Sequence, residues 1–265
     1  MRAILLAAGL GTRLRPLTDI LPKCLAPVRG RPLLEYWLSE LFAHGVSEVV
    51  VNTHYHADLV VQYVERGPWR HRVRLAYEPR LLGTGGTVRA HREFVSGGPF
   101  LVAHADNLSA FHMETFAAAH AARPPAAMMT MMTFDTAEPR NCGIVETNAG
   151  GLVTAFYEKV PNPPGNRANG AVYLCEPGVL DMLAAVGKPV VDLSTESIPL
   201  LMGQINAWHN AVYHRDIGSL ESWRAAQGDY PFDPPRAPLP DPWAELLVSH
   251  PEIARRISHL LDAGS

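Results

Sequence analysis

At 265 residues the chain is long enough for one large domain or two small ones, and an apolar share of 47% against 18% charged residues sets it apart from disordered proteins. Its 23 basic and 26 acidic residues give a net charge of -3, which excludes a protein whose main task is to grip a nucleic acid backbone. Three cysteines, Cys24, Cys142 and Cys175, with no Cys-x-x-Cys, offer neither a disulfide framework nor a cysteine zinc site and fit a reducing cytoplasm.

Met1-Arg2 followed by Ala3 to Ala8 imitates a signal peptide. The apolar run stops at Gly9 and Arg13 soon follows, so a buried first strand is predicted over Ala3–Ala7. No window approaches the roughly 18 apolar residues that a membrane helix needs. Further strands are predicted at Glu48–Asn52, Val73–Tyr77 and Phe100–Ala103. Between them Leu33–Ala43, Leu59–Val64 and Thr87–Phe94 carry helical spacing. Alternation of this kind predicts an α/β fold with a mainly parallel central sheet and helices on both faces, and it directs attention to the loops beyond the carboxyl ends of the strands.

From Met128 the texture changes to strands joined by turns, at Met128–Thr133, Gly143–Glu146, Val153–Tyr157 and Ala171–Leu174, read as a small mixed-sheet extension. Ser194 is expected to cap a short helix through Met202, Ala207–Tyr213 to form a strand, and Ser219 to cap a helix toward Gln227. Prolines from Pro231 to Pro242 predict a stiff connector over residues 228–242. Residues 243–265 follow as an amphipathic docking or dimerisation helix with Trp243, Leu246, Leu247, Ile253, Ile257 and Leu261 along one stripe. Residues 1–227 are left as one catalytic domain.

The most informative string follows the first strand: Gly9-Leu10-Gly11-Thr12-Arg13-Leu14-Arg15-Pro16-Leu17-Thr18, then Pro22-Lys23. The glycines let the backbone approach a ligand, and Arg13 and Lys23 bring positive charge to the same place, which makes a phosphate cradle. The string is neither a P-loop nor a dinucleotide fingerprint. It resembles the first loop of the sugar-1-phosphate nucleotidyltransferase family, and the resemblance runs from Met1 to about Gln227. It implies a Rossmann-like nucleotidyltransferase fold and the transfer of a nucleotidyl group from a nucleoside triphosphate to a sugar 1-phosphate with release of pyrophosphate.

By that likeness Leu6, Ala8, Gly9, Gly11, Thr12 and Arg13 hold the nucleotide, with Arg13 at the β- and γ-phosphates and Lys23 at the α-phosphate. Glu78 and the turn Leu82-Gly83-Thr84-Gly85-Gly86 look like the base-recognition segment, which adds Gly83, Thr84 and Gly85 to the nucleotide set. A carboxylate only accepts hydrogen bonds and so suits guanine, whose N1–H and 2-amino group are adjacent donors; this favours GTP. Asp106, after Val102-Ala103-His104-Ala105, and Asp216, in Arg215-Asp216-Ile217-Gly218-Ser219, resemble the two acidic stations that hold Mg²⁺, a hard cation served by a few oxygen ligands plus substrate phosphates. Ala105 stands where the family usually has glycine, which puts a methyl group close to the nucleotide's expected path.

Arg13, Lys23 and Asp106 are the expected catalytic residues. Asp106, Asn107, Glu158, Lys159 and Asn169 are expected on the acceptor sugar phosphate, with Lys159 neutralising its charge. The pattern is most like guanylyltransferases for mannose- or manno-heptose 1-phosphate. Uridylyl- or thymidylyltransferases for glucose-type or muramic acid sugars remain the alternative, as does a non-catalytic regulatory relative that binds nucleotide or sugar phosphate. A competing reading comes from His54-Tyr55-His56-Ala57-Asp58, which matches the opening of a His-x-His-x-Asp zinc hydrolase motif; Leu59 stands where a further histidine is needed, and that reading leaves the Gly9–Lys23 loop unexplained.

Overall fold

A computed structural model describes residues 1–263. In chain order its elements are β1 (Arg2–Leu6), β2 (Pro27–Val28), β3 (Arg31–Pro32), α1 (Leu33–Ala43), β4 (Val49–Thr53), α2 (Ala57–Arg66), β5 (Val73–Tyr77), α3 (Thr84–Ala90), α4 (Arg92–Val95), β6 (Phe100–His104), β7 (Asn107–Ala110) and α5 (Met113–Ala121). There follow β8 (Met129–Asp135), β9 (Gly143–Thr147), β10 (Val153–Glu158), β11 (Arg167–Cys175), α6 (Gly178–Ala185), β12 (Ile205–His209), β13 (Tyr213–Asp216), α7 (Leu220–Asp229), α8 (Pro242–Ser249) and α9 (Pro251–Asp262). The chain is α/β, as its alternating pattern requires, and forms two compact units.

The first unit comprises Met1–Ile4, Leu81–Ala103 and Ala110–His214. Its strands follow the order β10, β9, β11, β6, β1, with β8 beside β11 and β12 beside β8. β11 pairs antiparallel with β6, β8 and β9, while β12 pairs with β8 in parallel, so this is the mixed sheet that the turn-rich texture predicts. The register of β11 against β8 breaks between Asn169 and Tyr173, where Ala171 takes a left-handed backbone with φ 53°.

The second unit comprises Leu5–Arg80, His104–Ser109 and the chain from Arg215 onward. Here the order is β1, β4, β5, and β4 and β5 run parallel from Val49 opposite Val73 to Thr53 opposite Tyr77. Every residue of β4 is buried, which is why it opens on the continuous apolar run Val49-Val50-Val51 rather than on an alternation. α1 turns Leu33, Leu34, Leu38 and Leu41 inward, and α2 turns Leu59, Val60, Tyr63 and Val64 inward.

Four expectations need correction. The single helix over Thr87–Phe94 is two, α3 and α4, separated at His91; α3 starts at Thr84, because the glycines there lie inside its first turn. The short helix after residue 192 is capped by Asp192, whose side chain accepts the Thr195 N–H, and not by Ser194. The strand over Ala207–Tyr213 is broken at Asn210, whose side chain accepts from the Val212 N–H and donates to the Tyr213 carbonyl, forming a local turn that competes with a continuous ladder. The helix over 243–265 is two helices parted at His250-Pro251, because proline cannot donate into the ladder of the turn before it; residues 264 and 265 lie outside the described residues.

The terminal helices dock on their own unit. Trp243, Leu246, Ile253 and Leu260 are buried, α8 packs on α2, and α9 packs on the turn Leu17–Asp19. A buried ionic network fixes the start of α8. Arg31 donates to both carboxylate oxygens of Asp241, at 2.7 and 3.1 Å, and also to both oxygens of Glu35, which in turn accepts from the Tyr63 hydroxyl. Asp241 meanwhile caps α8 by accepting the N–H groups of Trp243 and Ala244.

Partial burial pulls the Asp241 carboxyl upward, but Arg31 and the two backbone donors outweigh it and hold the group below its ordinary value. A carboxyl depressed in the folded state stabilises above its unfolded pKa, near 4, and loses that contribution as pH falls through the folded value. Asp241→Ala is therefore expected to cost about 2 kcal/mol at pH 7 and markedly less near pH 3, measured by urea unfolding at the two pH values.

Candidate active site

The loop after β1 is tied down by alternation. Leu14, Leu17 and Leu21 are fully buried, while Arg13, just before the first of them, projects outward with 74% of its side chain exposed. Three 3-10 turns, Thr12–Leu14, Leu17–Asp19 and Lys23–Leu25, carry the chain through the loop. Gly11 sits at the start of the first turn with φ 62°, and its carbonyl accepts from the Leu14 N–H and from the Thr18 hydroxyl at 2.8 Å. An added Cβ at Gly11 would lie 2.8 Å from the Thr18 methyl carbon, so the position needs glycine for both conformation and space.

At the end of this loop Lys23 is almost wholly buried, and its Nζ donates to Asp106 Oδ2 at 2.8 Å and to Asp216 Oδ1 at 3.0 Å. Arg13 reaches the other oxygen of Asp216, with Nη2 3.5 Å from Oδ2. Asp106 is delivered by the turn after β6 and Asp216 by the last residue of β13. Burial alone would lower the Lys23 pKa; the charges and hydrogen bonds of the two carboxylates outweigh it, and the ammonium is held above its ordinary value. Burial alone would raise Asp106, but Lys23 and the nearby His104 hold it below the ordinary carboxylate value. Lys23 and Asp106 are thus each stabilised in the charged form, and the cluster sets two basic side chains against two acidic ones.

Gly218 completes the arrangement. A Cβ there would fall 2.6 Å from Asp216 Oδ2 and 3.0 Å from Arg13 Nη2, so only glycine leaves that pair its space. Ala105 is fully buried and donates its N–H to the Leu6 carbonyl, so its methyl group belongs to the interior. Asn107 is also buried and gives its carbonyl to the Trp37 indole N–H, whereas 30% of the Asp106 side chain is exposed.

Asn52 ties the ends of three strands together, accepting the Ala7 N–H at 2.7 Å and donating to Glu78 Oε1 at 2.9 Å. Glu78 is buried, with one carboxylate oxygen engaged by Asn52 and its N–H bound to the Thr53 carbonyl. Leu6, Ala8, Gly9, Gly11, Thr12, Arg13, Lys23, Glu78, Asp106, Asn107 and Asp216 all belong to the second unit.

The other expected residues belong to the first unit. Gly83 has φ 75°, and a Cβ on it would meet the Val191 carbonyl at 2.4 Å. The N–H groups of Gly85 and Gly86 both donate to that carbonyl. The Thr84 hydroxyl donates to Asp192 and accepts the Leu193 N–H, so this turn is knotted to residues 191–193. Glu158 and Lys159 form an ion pair at 3.0 Å, and Lys159 takes a left-handed backbone with φ 49°. Asn169 donates to the Tyr173 hydroxyl at 2.8 Å and accepts the Ala171 N–H, which fixes the register break in β11.

The histidine motif builds no metal site. His54 Nδ1 lies 2.7 Å from the Glu78 carbonyl and His56 Nε2 lies 3.2 Å from the Asp19 carbonyl, two separate backbone partners. Among the described residues no group of three or more His, Cys, Asp or Glu side chains is placed to hold a metal ion, and no helix is long and apolar enough to cross a membrane.

An α/β chain whose first loop ends in a lysine clasped by two carboxylates, with an exposed arginine at their edge, has the groups of a phosphate-handling protein. The model of the nucleotidyl transferase family matches residues 2–231, and the chain belongs to that family. It is similar to mannose-1-phosphate guanyltransferase of Schizosaccharomyces pombe, at 29% identity over 84% of this chain and 62% of the relative. It is also similar to mannose-1-phosphate guanylyltransferase of Mycobacterium tuberculosis, at 30% identity over 86% and 64%. The chain thus spans less than two thirds of the length of these curated relatives. Among solved structures, HddC from Yersinia pseudotuberculosis, complexed with GMP-PN, shares the fold with a TM-score of 0.72 at 21% identity, over 86% of this chain and 99% of that one.

Thr18, Asn52 and Gly218 carry no charge and follow no spacing rule, so reading the sequence gave them no role. The two loop glycines, which look alike in sequence, differ in structure: nothing lies within 4 Å of a Cβ built on Gly9. Gly11→Ala is expected to cost about 1–2 kcal/mol of stability in urea unfolding, while Gly9→Ala leaves the midpoint within about 0.5 kcal/mol of the parent.

Proposed function

We propose that the protein is a sugar-1-phosphate guanylyltransferase, moving GMP from GTP to a mannose- or manno-heptose-type sugar 1-phosphate with release of pyrophosphate. The observation that carries this reading is the Lys23 ammonium seated between Asp106 and Asp216, with Arg13 beside it. The names of the relatives, mannose-1-phosphate guanyltransferase and guanylyltransferase, support the choice of base and sugar, and Glu78 at the end of β5 supports guanine through its acceptor-only chemistry. The free cysteines support a cytoplasmic setting.

The donor set suits a hard divalent cation. Two carboxylates converge on one positively charged point, and Mg²⁺ takes one or two carboxylates with phosphate oxygens and water completing its shell. Asp106 and Asp216 are the residues that would hold it. When bound, the ion neutralises charge on phosphate oxygens.

The reaction forms a bond from an acceptor phosphate oxygen to the α-phosphorus and breaks the bond from that phosphorus to the bridging oxygen, whose electrons leave with pyrophosphate. The attacking oxygen is already anionic, so no side chain has to remove a proton. What remains is positioning and charge. The exposed Arg13 guanidinium suits the β- and γ-phosphates, which it can meet with two parallel N–H donors. Lys23, a compact ammonium on a flexible stem, follows the charge that grows around the α-phosphate. Glu158, Lys159 and Asn169 are assigned to the acceptor, Lys159 for its phosphate and the other two for sugar hydroxyls.

Pyrophosphate release measured for ATP, CTP, GTP, UTP and dTTP against glucose-, mannose- and heptose 1-phosphates tests the reading. The highest kcat/KM is expected with GTP and mannose- or heptose 1-phosphate. Turnover confined to UTP or dTTP would refute the base assignment, and no release with any pair would refute the class. Asp106→Ala is expected to abolish release while the protein stays folded by circular dichroism. Gly218→Ala, which pushes Asp216 and Arg13 apart, is expected to lower kcat by up to about a hundredfold.

A further inference from the structure

We propose that Lys23 holds the cation position between Asp106 and Asp216 until a triphosphate arrives, so that the protein rejects a free divalent cation and admits it only together with nucleotide. This rests on the reading of Asp106 and Asp216 as the metal carboxylates.

The geometry leaves a lone dication little to gain. One oxygen of each aspartate is held by the same ammonium, at 2.8 and 3.0 Å, and the second oxygen of Asp216 faces Arg13 at 3.5 Å. Two positive side chains already balance two negative ones. A dication arriving alone would turn a balanced cluster into one with two excess positive charges, next to an ammonium whose side chain is only 7% exposed. A metal–triphosphate complex is different, because it arrives with net negative charge. Its phosphates give the ammonium a new set of oxygen partners as the carboxylates turn to the cation, and the four-carbon stem of lysine lets Nζ make that move while Cα stays in its turn.

The exchange is one of ion pairs and needs no proton, since the lysine and Asp106 are both stabilised in their charged forms. It also explains why a lysine meant for phosphate lies buried in the free protein: the carboxylates keep it charged and in place. By linkage, the nucleotide must raise the affinity for cation by the same factor as the cation raises the affinity for nucleotide.

The test is direct binding of Mn²⁺, followed by its free electron paramagnetic resonance signal, in the parent and in Lys23→Met, Lys23→Gln, Asp106→Asn and the Lys23→Met/Asp106→Asn pair, with and without α,β-methylene GTP. In the parent, Mn²⁺ is expected to bind at least about tenfold more tightly with the analogue than without it, and Lys23→Met or Lys23→Gln is expected to improve binding of Mn²⁺ alone by about tenfold. Adding Asp106→Asn to Lys23→Met is expected to cancel that gain. The glutamine variant keeps a hydrogen-bond donor at the buried position, so the comparison survives if the methionine variant does not fold. If neither Lys23 variant gains affinity while Asp106→Asn weakens the analogue-dependent binding, the lysine proposal is overturned and the metal assignment stands. If Asp106→Asn changes Mn²⁺ binding in neither state, both are overturned.

Discussion

A buried ammonium is tolerated only where opposite charges meet it, and that constraint at Lys23 organises the second unit. The lysine stands at the end of the loop after β1, Asp106 just beyond β6 and Asp216 at the end of β13, so one side chain ties three segments far apart in sequence. The loop must then hold Lys23 in place. Buried Leu14, Leu17 and Leu21 anchor it, the Thr18 hydroxyl secures the Gly11 carbonyl, and the left-handed backbone of Gly11 sets its first turn. Gly218 serves the same end just beyond β13 by leaving room for Asp216 and Arg13 to meet.

The terminal segment, which begins where the family match ends, is part of that support. Asp241 is drawn to Arg31, which Glu35 also binds, α8 follows onto α2, and α9 packs against the turn Leu17–Asp19. Arg224 adds to it by donating twice to the Leu260 carbonyl. The proline-rich connector thus leads to helices that brace the loop carrying the charged cluster.

Much of this was legible in the sequence where chemistry and periodicity coincide. The limits of α1 and β5 follow from apolar spacing alone, and Arg13, Lys23, Asp106 and Asp216 are charged residues in strings with few other uses. What escaped was of two kinds. β7, α5 and α6 are short or carry weak apolar periodicity, and only their neighbours make them form. Thr18, Asn52 and Gly218 matter through a hydroxyl, an amide and a missing methyl, properties that acquire meaning only once distant strands are brought side by side. Breaks at His91, Asn210 and Pro251 were hidden for a related reason, because local turns there override a pattern that continues through them.

The central role of Lys23 is most directly measured by a double-mutant cycle in urea unfolding at pH 7, with Lys23→Met, Asp106→Asn and the pair. A coupling energy of more than about 1 kcal/mol is expected, because each single change leaves one charge of the Lys23–Asp106 pair without the other and the double change removes both. Additivity within about 0.5 kcal/mol would contradict it, showing that the two groups do not depend on one another in solution.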